Sequence, residues 1–269
     1  MIRELTVVLA LLSLAASAAA EPRIVISAHG VPGGTNLVRD PGFEEGGVGW
    51  HAGSASPESV YAVWSDAPIS GDRSAGIRAE IPAASGYWVQ EVPVEPATGY
   101  LLSARMDLRE GKVLVRANGR GFDARKYTVR QPDLLTVPVF WKPQWVRGHD
   151  LSPGDQIFLT FTTGPEGDPQ SVNIALGLYF SRGLVFFDDL YLGPGTLTVE
   201  YTVGGDDVTQ VRVLDARGTQ LARHDAGGGD VRGALEGLPL TSHVCVEATL
   251  RGGEVYRRWY PDAPDGDGP

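Results

Sequence analysis

Two aspartates stand side by side in an apolar, aromatic run, "FFDDLYL", residues 186–192. Side chains alternate along a strand, so Asp188 should share a face with Phe186, Leu190 and Leu192. A lone buried carboxylate costs several kcal/mol unless it is neutralised or hydrogen-bonded. Asp188 therefore needs a partner: a cation, an arginine or backbone amides. Asp189 points the other way, with Phe187 and Tyr191, and can be solvated. The tryptophans are a second group with usable chemistry, and the chain has six. Aromatic rings stack on the apolar C–H faces of sugars, while nearby polar side chains bond the hydroxyls. Trp64, Trp88 and Trp141 are the candidate platforms. Trp88 follows Tyr87 and shares a strand face with Gln90. Trp141 lies between Phe140 and Lys142. Arg105, Asp107 and Asn173 are further polar candidates.

Signatures of catalysis are absent from the sequence. It has no His-Glu-x-x-His, no Gly-x-Ser-x-Gly and no glycine-rich phosphate loop. Its five histidines never pair at metal-ligand spacing. Asp188 and Asp189 cannot form a glycosidase pair, because strand neighbours face opposite sides. Cys245 is the single cysteine, so no intrachain disulfide can form, and its flanking valines mark it as an inert thiol.

The elements that hold these residues read as strands. "YLLSARMDL" puts Tyr100, Leu102, Ala104, Met106 and Leu108 on one face. "DQIFLTFTT" does the same with Ile157, Leu159 and Phe161. "SVNIALGLYF" does so with Val172, Ile174, Leu176, Leu178 and Phe180. Turn residues bound each run, which predicts an all-β sandwich. Beyond "LGPGT", 192–196, shorter alternating units continue, ending in a hairpin around Arg251-Gly252-Gly253. They predict a small immunoglobulin- or fibronectin-like β-domain, near the lower size limit for its own core.

The 269 residues thus divide into a leader over 1–20, a larger domain over 21–194, a small β-domain over 195–261 and a disordered tail over 262–269. The leader has Arg3, an apolar stretch and small residues Ala18 and Ala20, the pattern of a secretory signal peptide. This places the chain outside the cytoplasm, secreted or periplasmic. No later stretch can span a membrane as a helix. The net charge of −10 and the lack of a Lys/Arg-rich run disfavour a nucleic-acid partner.

"NLVRDPGFEEGGVGW", 36–50, is the most specific stretch: a short apolar strand, Pro-Gly-Phe-Glu, a glycine-rich turn and a tryptophan. It resembles the opening of the CenC-like carbohydrate-binding modules, the group of families four, nine and twenty-two. "SGDRSAGIRAE", "WVQEVPVEPATGYLLSARM", "QWVRGHDLSPGDQIFLTF" and "VFFDDLYL" resemble later landmarks of that group and come in the same order. The resemblance covers about residues 36–193. The stretch 111–150 departs from it, so ligand specificity does not carry over.

The resemblance implies a jelly-roll sandwich that binds a poly- or oligosaccharide without cleaving it. It also implies that Trp50 and Trp145 pack internally, and that a structural calcium lies near the first and last strands. Calcium takes six to eight oxygen ligands. Glu44, after the first strand of the motif, and Asp188, in the last, are the expected carboxylates, with Gly71 and Asp72 as secondary oxygen donors. The rival reading is a cell-surface scaffold that binds proteins and has no sugar site. Exposure of Trp64, Trp88 or Trp141 separates the two readings.

Overall fold

The computed structural model describes residues 21–120, 122–130, 145–147, 152–165 and 170–261. Trp141, the leader and the tail lie outside the described residues, as does the side chain of Trp145. Among the described residues every regular element is a strand, and no helix is long and apolar enough to cross a membrane. The chain forms a jelly-roll β-sandwich with a second, smaller sandwich against it.

The first strand, β1 (Arg23–Pro32), belongs to the smaller unit. The larger unit has two sheets. One contains β2 (His51–Ser54), β5 (Gly86–Pro93), β10 (Ser171–Leu178), the second half of β6 (Gly99–Gly119), β7 (Phe122–Arg130) and β8 (Trp145–Arg147). We call it the front sheet. The back sheet contains β3 (Val60–Trp64), β4 (Ala75–Ala79), β11 (Gly183–Gly193), the first half of β6 and β9 (Asp155–Thr162). Neighbours are antiparallel except β7 and β8.

Strand β6 closes the sandwich by serving both sheets. Its first half pairs with β9 and β11, its second with β10 and β7. It turns the corner at Gly111, whose φ is 106°. A Cβ there would stand 2.7 Å from the Arg182 carbonyl oxygen, so only glycine fits without a shift. Across the corner the inward set moves from Leu102, Ala104, Met106 and Leu108 to Val113, Val115 and Ala117. These residues meet Ile174, Leu176, Leu178, Ile77, Val185 and Phe187 in one core. Each buried Leu or Ile contributes roughly 1.5–3 kcal/mol relative to exposure. The alternation read along β6, β9 and β10 is therefore the core face. Phe180 is the exception: it lies past the end of β10, in a turn, and is 55% exposed.

The smaller sandwich sets β1, β12 (Gly195–Gly204) and β15 (Val231–Leu238) against β14 (Gln220–Asp225), β13 (Val208–Asp215), β16 (Val244–Leu250) and β17 (Val255–Tyr260). Val199, Tyr201, Val203, Val211, Val213, Val244 and Val246 fill it. The expected boundaries, 21–194 and 195–261, need correction. Strand β1 pairs with β12 along its whole length, from Arg23 opposite Gly204 to Pro32 opposite Gly195. Without it that sheet would have two strands, too few for a stable face. The chain thus starts in the small unit, crosses to build the large one and returns.

The two units pack through Leu101, Phe158, Tyr191, Leu197 and Leu240. Leu101, Phe158 and Tyr191 come from the outer face of the back sheet. The Tyr191 hydroxyl reinforces this seam, donating to the Pro194 carbonyl at 2.5 Å and accepting from the Gly34 amide at 3.2 Å.

Candidate functional site

Strict alternation fails at the paired aspartates. Val185 and Phe187 point into the core, as do Leu190 and Leu192. The register slips between Asp188 and Tyr191, and Asp189 adopts a left-handed φ of 46°. This bulge puts Asp188 on the outer face with Phe186, opposite Arg105, and corrects its expected alignment with Leu190 and Leu192. Nor is β11 an edge strand: it lies between β4 and β6.

Asp188 is nonetheless fully buried, because two loops cover it. One Asp188 oxygen, Oδ2, accepts from the Ser70 amide at 2.9 Å and the Ser74 hydroxyl at 2.7 Å. The other, Oδ1, accepts from the Asp189 amide at 2.8 Å. Burial pushes the Asp188 carboxyl above the usual range, and these three donors pull it back only in part. Asp189 is not simply solvated. Its carboxylate accepts from the Ser70 hydroxyl at 2.9 Å and from Arg105 at 3.3 Å. The 65–74 loop is thus tied to both aspartates.

Glu44 holds the same loop from the other side. Its carboxylate accepts from the Asp72 amide at 3.0 Å and the Arg73 amide at 3.3 Å. Gly71, with φ of 55°, makes room: a Cβ there would stand 2.0 Å from Glu44 Oε1. Asp188 Oδ1 and Glu44 Oε1 both lie within 4.0 Å of the point where a Cβ on Gly42 would stand. Two carboxylates therefore flank one small space. No cluster of three His, Cys, Asp or Glu with metal-binding geometry occurs among the described residues. A cation here would need backbone carbonyls to complete its shell.

The aromatic candidates divide by face. Trp88 is 7% exposed and Gln90 1%, both pointing into the sandwich. The Trp88 indole N–H donates to the Gly76 carbonyl at 3.0 Å. Gln90 accepts from the Arg39 amide at 2.8 Å and donates to the Arg39 carbonyl at 3.0 Å. This corrects their assignment as ligand contacts. Trp88 is a core side chain, and Gln90 is a buried clamp on the 36–50 segment. Trp50 is buried as expected, donating to the Arg39 carbonyl at 2.8 Å. Trp64 remains 43% exposed on edge strand β3 of the back sheet. It packs beside Trp88 at 5.6 Å between centroids, and the Arg73 guanidinium lies 5.8 Å from its centroid.

Tyr87 points out from the front sheet, opposite to Trp88. Its cross-strand neighbours are Gly53 on β2 and Gly177 on β10, so neither puts a side chain against its ring. The next row on that face is His51, Val89, Ala175, Arg116 and Arg125. The row after it is Glu91, Asn173, Asn118 and Asp123. Small residues beside Tyr87 thus give way to polar ones along the strands. Asn118 and Asn173 sit directly opposite each other, and their side-chain amides make no hydrogen bond within the described residues. The 65–74 loop and the small sandwich lie against the outer face of the back sheet; on the outer face of the front sheet Leu114, in the row of Tyr87 and Gly177, is buried.

The charges on the front face are fixed in place. Asp123 accepts from Arg116 at 2.8 and 2.9 Å and is also bound by Arg125. The Arg125 guanidinium, with Arg116 beside it, holds the Asp123 carboxyl down to about 2 against the opposing effect of burial. Glu91 accepts from the Ser171 hydroxyl at 2.6 Å. Sequence reasoning named Tyr87 and Asn173 but missed Gly53, Arg116 and Asn118. Cross-strand register brings these together, and no local sequence pattern encodes it.

No family model matches the chain, and no curated protein matches it. Solved structures do. One is a family 61 carbohydrate-binding module in complex with β-1,4-galactotriose: 15% identity, 60% of this chain and 99% of that one, TM-score 0.39. Another is the CBM22-1 xylan-binding domain of Xyn10C from Paenibacillus barcinonensis: 14% identity, 56% and 89% coverage, TM-score 0.35. A third is the enzymatically active domain of bacteriophage CBA120 tailspike protein 4: 12% identity, 59% and 21% coverage, TM-score 0.42. Carbohydrate-binding modules thus stand among the structural neighbours.

Proposed function

We propose that this chain is a secreted, non-catalytic protein that binds a poly- or oligosaccharide on the outer face of its front sheet. One observation carries the reading. Tyr87 stands between two glycines on the outer face of the front sheet, and two rows away are Asn118 and Asn173, whose side-chain amides make no hydrogen bond within the described residues. A pyranose ring needs that combination: a flat aromatic surface and amides that both donate and accept. Arg116 and Glu91, already oriented by Asp123 and Ser171, add hydroxyl contacts at little entropic cost.

The state of Asp123 supports binding without cleavage in so far as Asp123 cannot be the proton donor. Glycoside hydrolysis needs one carboxyl that stays protonated to donate to the leaving oxygen. Asp123, clamped by two arginines, remains a carboxylate at any working pH.

A structural calcium between Glu44 and Asp188 belongs to the same reading. Their oxygens flank one space, and Asp188 is buried with no cationic side chain bonded to it among the described residues. The ion would supply positive charge there and stiffen the loops that Glu44 and Asp188 already tie.

The test is retention on a panel that includes β-1,4-galactan and xylan, for wild type and Asn118→Ala/Asn173→Ala. The reading predicts retention on at least one glycan and its loss in the double variant. A double variant that binds as well as wild type would move the site elsewhere. Absence of retention on every glycan favours the protein-binding scaffold.

A further inference from the structure

The strands of the large sandwich follow one path, β2-β5-β10-β6-β11-β4-β3. Strand β6 closes one side by serving both sheets. The path ends at β2 and β3, so the other side has no shared strand. Inward side chains there are exposed. Ala52 on β2 lies opposite Trp88, and Ala62 on β3 lies opposite Ile77, so both share the core face. Both are nonetheless exposed, and an alanine is too small to seal that side. At the Val60 end of β3 the sheets touch: a Cβ on Gly86 would stand 2.3 Å from the Val60 side chain. Trp64 stands at the other end, on the same face of β3 as Val60 and Ala62.

Trp64 is held but not covered. Trp88 lies 5.6 Å from it and Phe43 meets it edge-on at 6.4 Å, yet 43% of its surface stays exposed. The chain beside it is glycine. Gly46 and Gly47 have left-handed φ of 79° and 84°. A Cβ on Gly47 would stand 3.6 Å from the Trp64 ring, and one on Gly46 would stand 3.3 Å from Arg73 Nη1. Two donors at this spot have no acceptor. The Trp64 indole N–H and the Arg73 guanidinium make no hydrogen bond or ion pair among the described residues; the guanidinium lies 5.8 Å from the ring centroid. Both groups donate only. A fitting ligand offers an apolar surface to the ring and oxygen acceptors beside it, as a sugar does. The surroundings set its charge. The Glu44 carboxylate bonds the Asp72 and Arg73 amides, and Glu45 precedes Gly46, so three carboxylates attend one arginine. That field repels an acidic sugar and admits a neutral one.

We propose that Trp64 and Arg73 form a second glycan site, at the open side of the sandwich, which takes a neutral pyranose. The ring packs on Trp64, and Arg73 donates to its oxygens. The site is separate from the outer face of the front sheet and does not rest on it. With both sites filled, one chain holds two glycan segments.

The experiment is titration calorimetry of the full chain with neutral hexasaccharides of xylan, β-1,4-galactan and β-1,4-glucan, and with hexagalacturonate. We expect two sites per wild-type chain for a neutral probe. Trp64→Ala should weaken one of them about tenfold, the order of one aromatic stack, and Trp64→Tyr should keep most of the affinity. Arg73→Ala should weaken the same site about fivefold, the order of one hydrogen bond. Its side chain is exposed and bonds nothing in the fold, so it carries the test if Trp64→Ala does not fold. One site that answers to Trp64→Ala and Arg73→Ala but not to Tyr87→Ala supports this proposal and overturns the front-face reading. One site that answers only to Tyr87→Ala overturns this proposal and leaves the front face standing. Hexagalacturonate bound through Trp64 more tightly than every neutral probe overturns the neutral assignment. No binding of any probe by wild type overturns the site.

Discussion

Replacing Asp188 by Asn keeps the shape of the side chain and removes its charge. The consequence can be worked out from three donors. Oδ2 serves Ser70 and Ser74, and Oδ1 serves Asp189. An asparagine has one oxygen. In its better orientation that oxygen serves Ser70 and Ser74, and its NH2 group faces the Asp189 amide, donor against donor. One buried N–H is left unsatisfied, at about 1–3 kcal/mol, and two charge-assisted bonds become neutral ones. Relief of the carboxylate's desolvation offsets part of this. The expected net loss is about 2 kcal/mol, or roughly 4–8 °C in melting temperature for a chain of this size. Asp188→Leu should lose more, about 3–5 kcal/mol, because the Ser70 and Asp189 amides cannot turn away. The assay is urea denaturation at neutral pH in the presence of chelator, so that no cation contributes. A leucine variant as stable as the asparagine variant would refute the donor argument, since burial alone would then decide.

Three further outcomes follow from named contacts. Gly71→Ala should cost about 1–2 kcal/mol in the same assay, from its left-handed backbone and displacement of Glu44; Glu44→Ala/Gly71→Ala should cost less than the two single losses together. Millimolar calcium should raise the wild-type melting temperature over chelator and should not raise that of Glu44→Ala; a midpoint indifferent to calcium removes the ion from the account. The third outcome concerns pH. Glu247 is fully buried between Arg212 and Arg257; burial pushes its carboxyl up, but the two guanidinium bonds prevail and hold it below the usual range. Its stabilisation is thus complete above the ordinary Glu range and fades as pH falls through the lowered value. Wild type should exceed Glu247→Gln by about 1–2 kcal/mol at pH 7, a modest figure because both arginines are partly exposed, and the gap should close in acid. A gap that does not change with pH would contradict the assignment.

The core faces were legible because the first half of β6, β9 and β10 each alternate without interruption. Strand β5 shows where that reading stops. Period two separates Tyr87 and Val89 from Trp88 and Gln90 but does not say which pair faces the core. Gln90 made the inner face look polar. Only the Arg39 backbone, distant in sequence, explains how a buried amide is satisfied. The bulge at Asp189 interrupts alternation within a run that gives no local sign of it. Membership of β1 in the small sandwich depends on a partner about 170 residues away, and local propensity carries no such information. The two glycines beside Tyr87 come from separate strands, so only register reveals them.

The most direct test of the account is titration calorimetry of wild type and Tyr87→Ala with xylan- and galactan-derived oligosaccharides, alongside melting temperatures for both proteins. The account predicts measurable binding by wild type. It predicts about tenfold weaker binding by the variant, the value of one lost stack, with a melting transition that shows the variant still folds. Equal affinities for the two proteins, or no binding by wild type to any glycan of a wider panel, would contradict it.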